Sequence, residues 1–145
     1  MTAGNGGSAS LASHAAQAII KPNYKPGGGH AACCITDMTP VITAFANDGQ
    51  WSNVLVESAR PIIENNSRVV VLLISSSGKS ENICNLASYA RSKGCHVLGL
   101  TGFNGEPLKS LSTVWFHVPS DNYEIVEPVH DALIHRLQYH LRESS

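Results

Sequence analysis

RVVVLLI at 68–74, followed at once by SSSGKSENI at 75–83, decides the fold. Val69 to Ile74 is the longest unbroken apolar run in the chain, and it does not alternate with polar residues. A strand of that kind has both faces covered, as in a parallel sheet lying under helices. The polar stretch Ser75 to Ser80 reads as a loop. Ser80 then suits a helix cap, with Glu81 favourably placed in the first turn. Ile83, Leu86, Ala87 and Ala90 fall on one helical face, and Lys93-Gly94 predicts the end of that helix.

The same alternation continues in both directions. Downstream, His96 to Leu100 reads as a strand, Gly102 to Gly105 as a turn and Glu106 to Leu111 as a short helical piece. Thr113 to Val118 is a last strand, stopped by Pro119. From about Tyr123 the chain is helical to its end, with Val126, Val129, Leu133, Leu137 and Leu141 as the apolar stripe. Upstream, Ser8 to Ile20 is a helix entered from a glycine turn, and Lys21 to Gly29 is a loop. Ala31 to Ile35 is a short buried strand. Thr39-Pro40 starts a helix that runs to about Ala46 and is broken by Asn47-Asp48-Gly49. A further helix covers about Trp51 to Ile63, with Pro61 marking a kink or an early end. Strands alternating with helices predict an α/β protein, a three-layer αβα sandwich around a parallel sheet.

The 145 residues suit one domain, with 43% hydrophobic and 14% charged residues. Ten Lys and Arg stand against eleven Asp and Glu, a net charge of −1. That balance excludes the basic excess a nucleic-acid or membrane-surface binder needs. The apolar runs are too short to cross a membrane. Met1 to Ser10 carries neither a positive charge nor an apolar stretch, which predicts no secretory signal. The four cysteines, at 33, 34, 84 and 95, form no CxxC pair and read as free thiols in a reducing, cytoplasmic setting.

Two loops carry the chemistry. Gly4-Asn5-Gly6-Gly7-Ser8 runs straight into a helix, so its backbone can approach a ligand closely and its helix-start N–H groups favour an anion. Ser75-Ser76-Ser77-Gly78-Lys79-Ser80 sits between the strongest strand and a helix, and its hydroxyls add donors for a phosphate. It lacks the spacing of a nucleoside-triphosphate loop, and the glycine loop lacks GxGxxG with an acid about 20 residues on. Each loop alone also reads as a ligand-free turn. Both, however, fall where open α/β sheets bind ligands, beyond the carboxyl ends of strands.

GNGGSASLASH at 4–14, SSSGKSENI at 75–83, LTGFNG at 100–105 and EPVHDALIH at 127–135 together resemble the sugar isomerase (SIS) domain family. The closest branch is the phosphoheptose isomerases, which act on sedoheptulose 7-phosphate. The resemblance implies a flavodoxin-like parallel sheet, a phosphorylated-sugar ligand and a cytoplasmic homotetramer. It also implies one SIS domain over 1–145 that lacks the family's N-terminal helices and most of its first strand. Asn5, Gly6, Gly7 and Ser8, with Ser75, Ser76, Ser77 and Ser80, match the phosphosugar-binding positions, and Asp48 and Glu124 match acids near the substrate. His14, Glu127 and His135 match positions with catalytic roles that bind zinc in some members. His130 matches a helical histidine for which no role can be argued, and His30, His96, His117 and His140 read as structural or exposed. At Ala18 the chain departs from the pattern, which has an acid four residues after the first-helix histidine.

Aldose–ketose isomerisation needs a base that moves a proton between adjacent carbons and an acid at the carbonyl oxygen. His14, His135, Glu124 and Glu127 are the candidates here. Two readings follow: a phosphosugar isomerase, or a non-catalytic module that binds a phosphosugar or a partner protein. A carboxylate in the cleft that makes good the loss at Ala18 favours the first.

Overall fold

The computed structural model describes residues 1–22, 29–66 and 68–143. Among them, four parallel strands form one sheet: β1 (Thr2–Gly4), β2 (Val70–Ser75), β3 (His96–Thr101) and β4 (Val114–His117), side by side in that order. Six α-helices surround it: α1 (Gly7–Ile20), α2 (Thr39–Asp48), α3 (Val54–Glu64), α4 (Glu81–Ser92), α5 (Leu108–Leu111) and α6 (Tyr123–Glu143). The six residues at the centre of the predicted loop, 23–28, and the last two of the chain, 144 and 145, lie outside the described residues.

The non-alternating run at β2 explains the layering. Val71 and Leu73 point to one face, in a core with Leu55, Ala59, Ile83, Leu86 and Ala87 of α3 and α4. Leu72 and Ile74 point to the other, in a core with Ala12, Ala15 and Ala18 of α1 and Ile134 of α6. The sheet is therefore covered on both sides, and the three-layer αβα sandwich expected from the sequence is the structure observed. α1 faces the sheet with alanines, which keeps its start close to the strand ends, and buried Thr2 Oγ1 donates to Ala12 O at 2.7 Å.

Three local expectations change. Ala31 to Ile35 is not a strand: it contributes one parallel bridge, Cys34 to Thr2, and turns into a 3₁₀ segment at Ile35–Asp37. β1 is three residues long, so it offers that segment little edge to pair with. The bridge still places 31–35 on the free side of β1, the strand arrangement of a flavodoxin-like sheet. Pro61 lies inside α3 without ending it. On α6 the fully buried residues are Val126, His130 and Ile134, with Val129, Leu133, Leu137 and Leu141 half-buried along their flank.

Candidate functional site

The two loops meet. Asn5, Gly6, Gly7 and Ser8 face Ser75, Ser76, Ser77 and Ser80 across one cavity of about 300 Å³, which Tyr123 and Glu127 of α6 close. β1 and β2 are adjacent and in register, Gly4 opposite Ile74, so their carboxyl ends deliver both loops to the same place. α1 and α4 then begin at this cavity, and their free N–H groups point toward it.

Each loop is held by its neighbours. Gly6 takes a left-handed φ of 55° at the start of α1. Gly7 leaves room for Glu127: a β-carbon there would sit 2.7 Å from its Oε2. Gly78, at φ 72°, lies against Gly105, where a β-carbon would come within 2.2 Å of backbone atoms. The LTGFNG turn thus buttresses the serine loop. Gly102 N donates to Ser76 O at 2.7 Å, and Leu108 N donates to Gly78 O at 3.0 Å. From below, the Cys84 thiol donates to Gly78 O at 3.4 Å, and burial raises its pKa.

The hydroxyls differ in their partners. Ser75 Oγ donates to Ser80 Oγ at 3.3 Å, and Ser80, at the cap position of α4, makes no side-chain cap bond. Ser76 is 4% exposed, and its Oγ has no hydrogen-bond partner among the described residues. A buried hydroxyl without a partner is unfavourable unless a ligand completes it. Asn5 and Asn82 tie the two loops together by exchanging side-chain amide bonds of 2.8 and 3.0 Å. Asn82 was not singled out in the sequence, although it lies only two residues past Ser80.

α6 is set against the site by its buried face. Val126 packs where a β-carbon on Gly102 would lie, and His130 Nε2 is 3.2 Å from Thr101 O. Burial pushes the His130 pKa down, which favours the neutral ring donating to that carbonyl. Residues one step round the helix then face the cavity or α1.

His14 and His135 do come together, with ring centroids 4.7 Å apart, edge to face. The third member of this group is Asp131 rather than Glu127. Asp131 Oδ1 lies 3.0 Å from His14 Nδ1, and Oδ2 lies 3.9 Å from His135 Nε2. Glu127 is one turn earlier on α6, with its carboxylate against Gly7 in the cavity between the loops. Two imidazoles and one carboxylate are a donor set that suits zinc, so the residues present fit that ion, with Asp131 in place of the expected Glu127.

Three expected positions fall elsewhere. Asp48 ends α2, which has no buried residue, and lines a separate hollow with Phe45, Gln50 and Glu57. Glu124 is exposed; the cavity takes Tyr123 and Glu127, which are four apart and share a helical face that Glu124 leaves. Ala18 is fully buried, in the cluster that holds Leu72 and Ile74 of the sheet and Ile134 of α6. A wider hollow of about 400 Å³ opens beyond His135, lined by Gln17, Lys21 and Arg142 among others. The strand-end loops do not reach it.

A fold with both loops at the carboxyl ends of adjacent parallel strands places the chain among the open α/β proteins. The SIS domain model matches residues 58–134, more than half of the chain, and the chain belongs to the SIS domain family. It is 33% identical to a phosphoheptose isomerase from Bradyrhizobium sp. over 132 residues, which are 91% of this chain and 66% of that protein. It is also 33% identical to a probable phosphoheptose isomerase from Thermoplasma acidophilum, over 92% of this chain and 72% of the relative. The solved phosphoheptose isomerase from Neisseria gonorrhoeae superposes with a TM-score of 0.85 at 28% identity, over 98% of this chain and 76% of that one. The chain thus spans just under two-thirds of the Bradyrhizobium relative's length. Among the described residues, no helix is long and apolar enough to cross a membrane.

Proposed function

We propose that this chain is a phosphosugar aldose–ketose isomerase of the phosphoheptose type, acting on a seven-carbon ketose 7-phosphate. The observation that carries the reading is the convergence of both strand-end loops on one cavity that contains an unpartnered, buried serine hydroxyl. Such a site supplies amides and hydroxyls without a fixed cation, which suits a phosphate monoester held by hydrogen bonds. The relatives' names supply the sugar.

The remaining side chains divide the chemistry. From Ser8 to His14 is about 9 Å along α1 at the helical rise, so the histidine pair lies well away from the phosphate loops. That spacing suits a substrate with its phosphate at one end and its reacting carbons at the other. Glu127 is the carboxylate that lines this cavity, and in this reading it moves the proton between the carbons. His14 and His135, with Asp131 between them, serve the carbonyl oxygen. The Asp131 carboxylate accepts from His14 Nδ1.

The non-catalytic reading rested on the lost acid at position 18. The 3.0 Å approach of Asp131 to His14 supports a carboxylate from α6 in that role. Zinc, a homotetramer and a cytoplasmic setting complete the proposal on the family resemblance.

The test is conversion of sedoheptulose 7-phosphate followed by anion-exchange chromatography. An aldose phosphate should accumulate to equilibrium with the wild-type chain. No conversion, with the ketose phosphate bound, would leave the binding-module reading.

A further inference from the structure

We infer that Asp131 is the third protein ligand of a divalent-cation site whose other ligands are His14 and His135. The inference deepens the isomerase reading but stands on its own geometry. One ligand atom from each residue lies within 4.8 Å of the other two. A tetrahedral zinc ion with bonds of about 2.0–2.1 Å has ligand atoms about 3.3–3.4 Å apart. Asp131 Oδ1 is 3.0 Å from His14 Nδ1 and Oδ2 is 3.9 Å from His135 Nε2, so the carboxylate faces both rings at separations close to that value. Small side-chain shifts therefore bring all three to one ion. His14 exchanges its bond to Asp131 for a bond to the metal and carries its proton on Nε2.

The cluster is assembled across two helices. Asp131 and His135 are one turn apart on α6, and His14 reaches them from α1. Side-chain exposures of 28%, 44% and 61% for His14, Asp131 and His135 leave the site open to an entering ion. Two imidazoles and one carboxylate leave a fourth position for water or substrate, the arrangement of catalytic rather than structural zinc sites. Imidazole favours zinc over magnesium or calcium, which take oxygen-only sets. A bound ion supplies Lewis-acid polarisation of a substrate oxygen. The carboxylate that this centre needs comes from α6, because position 18 of α1 is an alanine.

The experiment is calorimetric titration of chelator-treated protein with Zn²⁺, without substrate. We expect about one ion per chain, with micromolar or tighter affinity. Asp131→Asn should weaken binding at least tenfold, Asp131→Glu should largely restore it, and Glu127→Gln should leave it unchanged. X-ray absorption of the loaded protein should show two imidazoles and oxygen ligands. No bound zinc, equal affinity in Asp131→Asn, or an equal loss in Glu127→Gln would overturn the assignment. The readout is independent of turnover. Zinc bound by an inactive chain supports the site and counts against the isomerase, whereas turnover by a chain that binds no zinc does the reverse.

Discussion

Ser76→Ala should make the free protein more stable and the phosphosugar complex weaker. The side chain is 4% exposed, and its Oγ has no partner among the described residues. An unpaired buried polar group costs about 1–3 kcal/mol. Alanine keeps the β-carbon and removes only the oxygen, so a small void offsets part of that relief. A net gain of about 1 kcal/mol corresponds to roughly 3–5 °C in melting temperature for a domain of this size. In the complex the same hydroxyl donates to a charged phosphate oxygen, a bond worth about 1.5–3 kcal/mol. Its loss should weaken the complex about ten- to a hundredfold. Scanning calorimetry of the free chain and titration with sedoheptulose 7-phosphate read the two effects separately. A lower melting temperature together with unchanged affinity would refute the reasoning, because Ser76 would then be paired within the fold and idle toward the ligand.

Three further outcomes follow from the geometry. Gly78→Ala meets backbone of Gly105 at 2.2 Å and a φ of 72°, so denaturant unfolding should show a loss of more than about 2 kcal/mol, with phosphosugar binding lost as well. Ala18→Glu buries a carboxylate without a partner in the α1 core, so it should cost several kcal/mol in the same assay and bring no gain in turnover. His135→Asn should reduce turnover by about 10²–10⁴-fold and change phosphosugar affinity little, whereas His140→Asn, outside the cluster, should keep turnover near wild type in the chromatographic conversion of sedoheptulose 7-phosphate.

What could be read in the sequence was local. The run at 69–74 announces a strand covered on both faces, and the glycine and serine loops are legible as a candidate site only because both fall at the carboxyl ends of strands. The 31–35 segment misled because its apolar character is real but its pairing depends on the length of β1. Asp48 and Glu124 match the family by motif position, which says nothing about the direction of a side chain on its helix. Asp131 is not legible from the motif, because the family pattern puts the acid on α1, four residues past His14. The carboxylate that meets His14 lies 117 positions away, and only the packing of α6 on α1 brings it there. Its one local signal was Asp131-x-x-x-His135 on a single helical face.

The central claim, that one cavity grips a sugar phosphate while side chains farther along α1 and α6 isomerise it, is tested most directly in deuterium oxide. Sedoheptulose 7-phosphate is incubated with the chain and followed by proton and carbon NMR. Transfer through an enediol exposes the migrating proton to solvent, so the account predicts an aldose phosphate with deuterium at C2 and ketose recovered with deuterium at C1. Ketose phosphate that binds, shifts the amide signals of both loops and yet shows neither product nor deuterium would contradict the account.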